Sequence, residues 1–389
     1  MKKLFLLCPK RLVVLGISLI IILLHVLLRC SYSIMHFLSC YVVSPVNQFC
    51  SRISSLFEFS LAELFIALLV LGFLAYAGYA VYIGLKSREV LKMIFKIFVT
   101  AALEVSLVYA GFCMLWGCYF YDDDFATKSG IDNGPVSTEQ LETVTAYFAK
   151  LANHYSGLVQ RDENGAYIVD RDEIIEKSQY VNNNIEKQFD CINGPDVKVK
   201  GIKFSKILSL LDFTGFYFPL TGEANLNMDF PPSLFASTVA HEISHQRGIC
   251  REQEANFLAV LSSLEYGDVD FCYSACLLAY THLGNALHKA DYEAWERIYL
   301  SLAPEIIQDF AINRAYWAQF ETPVQSISNT VYENFMYSYD QDMGLKSYGA
   351  CVDLLVNYYY EKAAAYLKCT PKVRHFRRCI FNGKKRAKI

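Results

Sequence analysis

The sequence predicts a mainly α protein. An N-terminal anchor of three membrane-spanning helices leads into an α+β domain with a small sheet and a helical C-terminal half. Three observations carry this expectation. Three apolar runs, each near the ~20 residues needed to cross a hydrocarbon core, fall within the first 119 residues. Short alternating segments cluster between about 197 and 228. Beyond 230, apolar residues recur at helical spacing, starting with the segment that carries His241-Glu242-Ile243-Ser244-His245.

The first apolar run, 12–28, is bounded by Lys10-Arg11 and Arg29. A signal peptide is the competing reading. No small-residue cleavage site follows, however, and two more runs come after, so a retained helix is expected. The other two spans are placed at 61–85 and 97–117, separated by Lys86, Arg88, Lys92 and Lys96. Residues 31–59 are too apolar for a free loop and suit an interfacial helix.

Lys2, Lys3, Lys10 and Arg11 precede the first span, whereas the third runs out into Asp122-Asp123-Asp124. The positive-inside rule therefore expects a multi-pass cell-membrane protein with a cytoplasmic N-terminus and an extracytoplasmic domain over 120–370. The lipid bilayer is the expected partner. The three aspartates read as an acidic flank in preference to a cation site. The net charge of −3 says little beside this distribution.

Thirteen cysteines would suit an oxidising compartment, but Cys8, Cys30, Cys113 and Cys118 lie in or near the spans. No Cys-x-x-Cys pair occurs, which argues against a cysteine zinc ribbon, and no disulfide is assigned.

Within the outer domain, Ser137 and Gln140 form a capping-box pattern ahead of Leu141, Val144, Phe148 and Leu151 at helical spacing. Residues 157–193 read as mixed helix and loop. Val197-Lys198-Val199-Lys200, Phe216-Tyr217-Phe218 and 224–228 read as short strands. Pro231 and Pro232 suit a helix start. Leu234, Phe235, Val239 and Ile243 give that helix an apolar stripe, and Gly248 suits its end. A second helix runs from Arg251 to about Tyr266, before Gly267. The remainder is helical and rich in aromatics. The tail, 371–389, is basic and is either solvated or in contact with anionic headgroups. No nucleic-acid motif accompanies its charge, so no nucleic-acid partner is expected.

Histidines four apart on a helix project from one face, so His241 and His245 can converge on one metal ion. A catalytic zinc takes three protein ligands and keeps one exchangeable position. Glu252, in the first turn of the second helix, is the candidate third ligand, with Glu254 next in line. Asn256, one turn after Glu252, can hydrogen-bond a histidine or the carboxylate. Glu242 lies over the open position as a general base. Cys250 is either a stray thiol ligand or a buried free cysteine. Tyr273, Tyr280 and His282 are either oxyanion donors or packed core. Glu223 and Asn225 either reach the cleft or serve the turn and strand.

The two-part pattern, His-Glu-x-x-His followed by Glu252-Gln253-Glu254-Ala255-Asn256, resembles the gluzincin branch of the zincin metallopeptidases. The resemblance implies a zincin-like domain with His241, His245 and Glu252 on Zn2+ and Glu242 as base. It also suggests the 217–227 segment as the strand edge that holds an extended substrate. Two features depart from related patterns. Arg251 stands where metzincins have a third histidine. The short spacing from His245 to Glu252 also requires a tight turn at Gly248 that folds the second helix straight back.

The chain is also similar to a bacterial membrane family, domain-of-unknown-function family 3810. That similarity lies in 217–225, Ala240-His241-Glu242, His245-Gln246-Arg247-Gly248, Tyr273-Ser274 and 344–349. The expected function is a membrane-anchored zinc-dependent metallopeptidase acting on an unknown envelope or membrane-associated protein. Two alternatives stand beside it: a catalytically silent metal-binding sensor or scaffold, and a helix pair whose histidines and glutamates merely satisfy one another. Little intramembrane charge beyond His25, Glu63 and Glu104 argues against a channel or transporter.

Overall fold

The computed structural model describes residues 7–339 and 348–368; the basic 371–389 tail and residues 344–347 lie outside them. The first part of the chain contains α1 (Pro9–Leu28), α2 (Tyr32–Leu38), α3 (Ser44–Ser54), α4 (Leu61–Ser87) and α5 (Val90–Leu115). Helices α1, α4 and α5 are long and apolar enough to cross a membrane, so the chain is membrane-associated. Their large side chains point outward, among them Leu19, Leu68 and Phe98, as a lipid-facing surface requires.

Helices α1 and α5 run parallel. Arg11 donates to Thr100 Oγ1 (2.8 Å), Ser18 Oγ meets Ser106 Oγ (2.7 Å) and Arg29 donates to Tyr121 Oη (2.8 Å). The third helix departs from the expected 97–117 at both ends, starting at Val90 and ending at Leu115. Lys92 and Lys96 are good helix formers, and Lys92 pairs with Glu89, so the helix begins before the apolar stretch does. Residues Gly117–Tyr121 then tighten into a 3₁₀ turn. A π-helical turn, Ser39–Val43, joins α2 to α3, and exposed Phe37, Tyr41 and Phe49 fit the expected interfacial position.

The rest of the chain contains α6 (Phe125–Ser129), α7 (Thr138–Ser156), α8 (Arg171–Ser178), β1 (Lys200–Ile202), α9 (Ser205–Leu210), β2 (Gly215–Phe218) and β3 (Glu223–Asn227). Then come α10 (Phe235–Gln246), α11 (Glu252–Tyr266), α12 (Val269–Ala290), α13 (Tyr292–Tyr299), α14 (Pro304–Ala318), α15 (Pro323–Ser338) and α16 (Tyr348–Lys368). The capping box at Ser137 and Gln140 is formed. The sheet order is β1-β3-β2, with β1 parallel and β2 antiparallel to β3. Strand β1 starts at Lys200 instead of Val197. Val197 N–H closes a turn onto Pro195 O, and Val199 N–H donates to Ser178 Oγ, so neither amide joins the ladder.

One core cluster lies between α7, α11, α12 and α16, around Phe148, Phe257, Tyr273 and Tyr359. A second lies where α10 meets the sheet, around Leu226, Phe235, Val239 and Ile243. A third contains Met35, Trp116, Tyr119, Cys250 and Met336, so a division at 119/120 passes through a shared core.

The β2–β3 hairpin fastens the sheet to the membrane helices. Tyr217 packs on Trp116 at 4.7 Å between ring centroids, and Phe218 on Phe65 of α4 at 5.8 Å. A Cβ on Gly111 of α5 would lie 2.8 Å from Leu220 Cδ2. Gly222 has φ +69°, and a Cβ there would strike the α3 backbone at Ser51 N (2.6 Å), so both conformation and space select glycine. Glu223 accepts the Leu61 and Ala62 amides (3.1 and 2.7 Å), capping α4.

Candidate metal centre

Helix α10 carries His241, Glu242 and His245, and α11 carries Glu252 and Asn256. Between them the chain reverses through Gly248 (φ +87°), the tight turn that the spacing required. His241, His245 and Glu252 each bring one ligand-type atom within 4.8 Å of the others. His241 Nε2 lies 3.0 Å from His245 Nε2 and 3.2 Å from Glu252 Oε2; His245 Nε2 lies 3.7 Å from Glu252 Oε1. Tetrahedral zinc with bonds of ~2.0–2.1 Å separates its donors by about 3.3 Å, so this spacing fits.

The far ring nitrogens fix the donor set. His245 Nδ1 donates to the Ile249 carbonyl (2.6 Å), and a carbonyl only accepts. When neutral, the ring therefore presents a bare lone pair at Nε2. His241 Nδ1 faces Asn256 Oδ1 at 3.0 Å, which makes the same assignment there. Two lone pairs and a carboxylate then converge, an arrangement that calls for a cation. The field at His245 points the same way. Burial opposes a proton on the metal-free ring, yet the Glu252 carboxylate outweighs burial and raises it to about 9, so a bound cation would take the place of the second ring proton. Burial alone would raise the Glu252 carboxyl, but the two imidazoles hold it well below the ordinary range.

Glu242 is buried, and its Oε2 has no hydrogen-bond partner among the described residues. Burial raises its carboxyl to about 7, with Glu252 adding to the rise and the two histidines opposing it. Gly215 of β2 makes room for it, since a Cβ there would lie 2.6 Å from Glu242 Oε1. Both residues line a cavity of about 520 Å³ shared with His241, His245 and Glu252.

Other candidate residues fall elsewhere. Glu254 is buried and accepts the Ala126 amide (3.2 Å), away from the metal cluster. Glu223 does not line the cavity; besides capping α4 it pairs with Lys200 Nζ at 2.6 Å. Asn225 accepts from Ser60 Oγ (2.6 Å) and is equally buried. Tyr273 donates to Asp309 Oδ2 (2.6 Å), Tyr280 belongs to the helical core, and neither they nor His282 line the cavity. Burial, with His241 adding to it, lowers the His282 ring to about 4. Cys250 lines the cavity but is no member of the metal cluster, and burial pushes its thiol upward. All cysteines among the described residues are free.

Tyr332 of α15 is the residue at the candidate site that sequence reasoning missed. Its hydroxyl donates to Glu252 Oε1 (2.7 Å), orienting that carboxylate from 80 residues away. No spacing singles it out among 27 tyrosines.

The fold and site together define a membrane-associated helical protein with a half-buried His-His-Glu cluster against a small sheet. The model of the family described as protein of unknown function (DUF3810) matches residues 38–356, and the chain belongs to that family. No curated protein and no solved structure matches it.

Proposed function

We propose that the protein is a membrane-anchored, zinc-dependent metallopeptidase with its N-terminus in the cytoplasm and residues 120–370 outside. The orientation rests on the basic residues ahead of and at the start of α1 and around the α4–α5 junction. The convergence of two bare imidazole nitrogens and the Glu252 carboxylate, beside a buried glutamate, carries the chemistry.

His241, His245 and Glu252 would hold the ion, with Asn256 and Tyr332 fixing His241 and Glu252. Zinc, when bound, supplies Lewis acidity that polarises the scissile carbonyl and makes water more acidic. Glu242 takes a proton from the attacking water as its oxygen bonds to the carbonyl carbon. The C–N bond breaks, and that proton leaves on the amine, so water and amide give acid and amine. Strand β2 pairs with β3 along one edge; its other edge has no strand partner among the described residues. That edge lines the cavity and offers its backbone to an extended peptide.

The test is zinc content by elemental mass spectrometry on the full-length protein, alongside cleavage of a quenched-fluorescent peptide library. About one zinc per chain and chelator-sensitive cleavage support the reading. Bound zinc without cleavage of any peptide would move the protein to the sensor or scaffold alternative.

A further inference from the structure

The candidate centre does not stand clear of the membrane helices. Trp116, the residue after α5, has its ring centroid 6.4 Å from that of His245. Phe112 and Val108, one and two turns further back along α5, line the same cavity as His241 and Glu252. At 1.5 Å per residue, that wall runs about 12 Å down the helix axis. Since α5 is long and apolar enough to span a membrane, the cavity reaches from the metal cluster alongside a lipid-level helix.

The facing wall is also apolar. Tyr332, Phe335 and Met336 of α15 line the cavity. On its outer side α15 carries Val324, Ile327 and Val331 at i, i+3 and i+7, with Ile327 65% and Val331 64% exposed. Ser328 Oγ donates to the carbonyl of Leu211 (2.9 Å), which ties this helix to the end of α9. There Phe204 and Ile207 are 62% and 54% exposed. The Phe204 amide donates to Glu63 Oε1 (2.8 Å), in the first turn of α4. The exposed apolar surface therefore stands level with the end of a membrane helix. Leaving such a surface in water is unfavourable, whereas lipid or an apolar chain covers it without penalty.

We infer that the substrate is the apolar, membrane-anchored segment of a polypeptide, cut where its chain leaves the bilayer. This rests on the peptidase reading above. The scissile stretch lies extended along the free edge of β2, with the anchor continuing beside the α5 wall.

The experiment uses full-length protein in phospholipid nanodiscs with three quenched-fluorescent probes bearing the same randomised peptide. One probe is soluble. One joins the peptide directly to an apolar anchor of about 20 residues. The third places a flexible Gly/Ser linker of about 15 residues between them. The two anchored probes share their local concentration, so their ratio isolates position from simple tethering. The adjacent probe should be cut at least about tenfold faster than the spaced one. Its cleavage sites, read by mass spectrometry, should lie at the anchor boundary, and Glu242→Gln should abolish the signal. Ile327→Asp, an exposed substitution compatible with folding, should lower the adjacent rate while zinc content stays at about one per chain. Equal cutting of spaced and adjacent probes, or preference for the soluble one, overturns the substrate inference and leaves the peptidase reading standing. Zinc-loaded protein that cuts none of the three overturns both.

Discussion

Two clusters of ligand-type side chains occur among the described residues, His241–His245–Glu252 and His36–Cys40–Asp122. They contain similar groups and differ in what already touches the carboxylate. Asp122 accepts from Ser39 Oγ (2.5 Å), His36 Nδ1 (2.7 Å), Lys128 Nζ (2.9 Å) and the Asp123 amide (2.8 Å). Its lone pairs are spoken for, and a fixed cation answers its charge. At Glu252 the neighbours are one tyrosine hydroxyl and two imidazole nitrogens whose protons are committed elsewhere. The lesson is that ligand chemistry follows from unfilled lone pairs and unanswered charge, not from residue type alone. The Asp122 cluster instead ties α2 and the π-helical turn to α6.

The sharpest way to break this comparison is to delete each carboxylate. Glu252→Ala should reduce zinc from about one per chain to near none. Asp122→Asn should leave the content unchanged, and zinc lost equally from both variants would erase the distinction. Next in size, Glu242→Gln should retain zinc and lower cleavage by about 10²–10⁴-fold, read as turnover on the best library peptide.

Lys128→Met should reveal the second cluster as structural. Leaving the fully buried Asp122 carboxylate without its cation should cost about 3 kcal/mol in denaturant unfolding, with zinc content unaffected. Acid should expose the same network. Burial raises the Asp122 carboxyl, but Ser39, Lys128 and His36 override it and bring it to about 2. A folded-state value below the unfolded one stabilises at higher pH. That stabilisation, about 2 kcal/mol, is lost as pH falls from about 4 through about 2. Asp122→Asn should flatten the stability profile in that window.

The smallest effect tests the orientation of Glu252. Tyr332→Phe removes one hydrogen bond and should weaken zinc binding about tenfold in a chelator competition.

Much of the metal cluster was legible because it depends on local geometry. A four-residue repeat on a helix, a glycine that takes positive φ, and a glutamate in the next first turn fix His241, His245 and Glu252 with little help from elsewhere. Helix ends were less legible. The apolar run marks where α5 can enter lipid, whereas charged residues with good helix propensity carry the helix beyond it. Glu223 is the instructive open reading. Beside a strand in a motif-like segment it reads equally as a cleft residue, and only its contacts with Lys200 and the α4 amides show that it fastens the sheet to the membrane helices.

By itself the sequence determined the three apolar spans, the helical character and the spacing of His241, His245 and Glu252, because all follow from periodicities within one or two consecutive elements. Tertiary structure alone decided that Tyr332 orients Glu252, that Gly215 makes room for Glu242, and that α5 walls the cavity. Those relations join residues tens to more than a hundred positions apart, and such pairings are set by how helices pack, which no local spacing encodes.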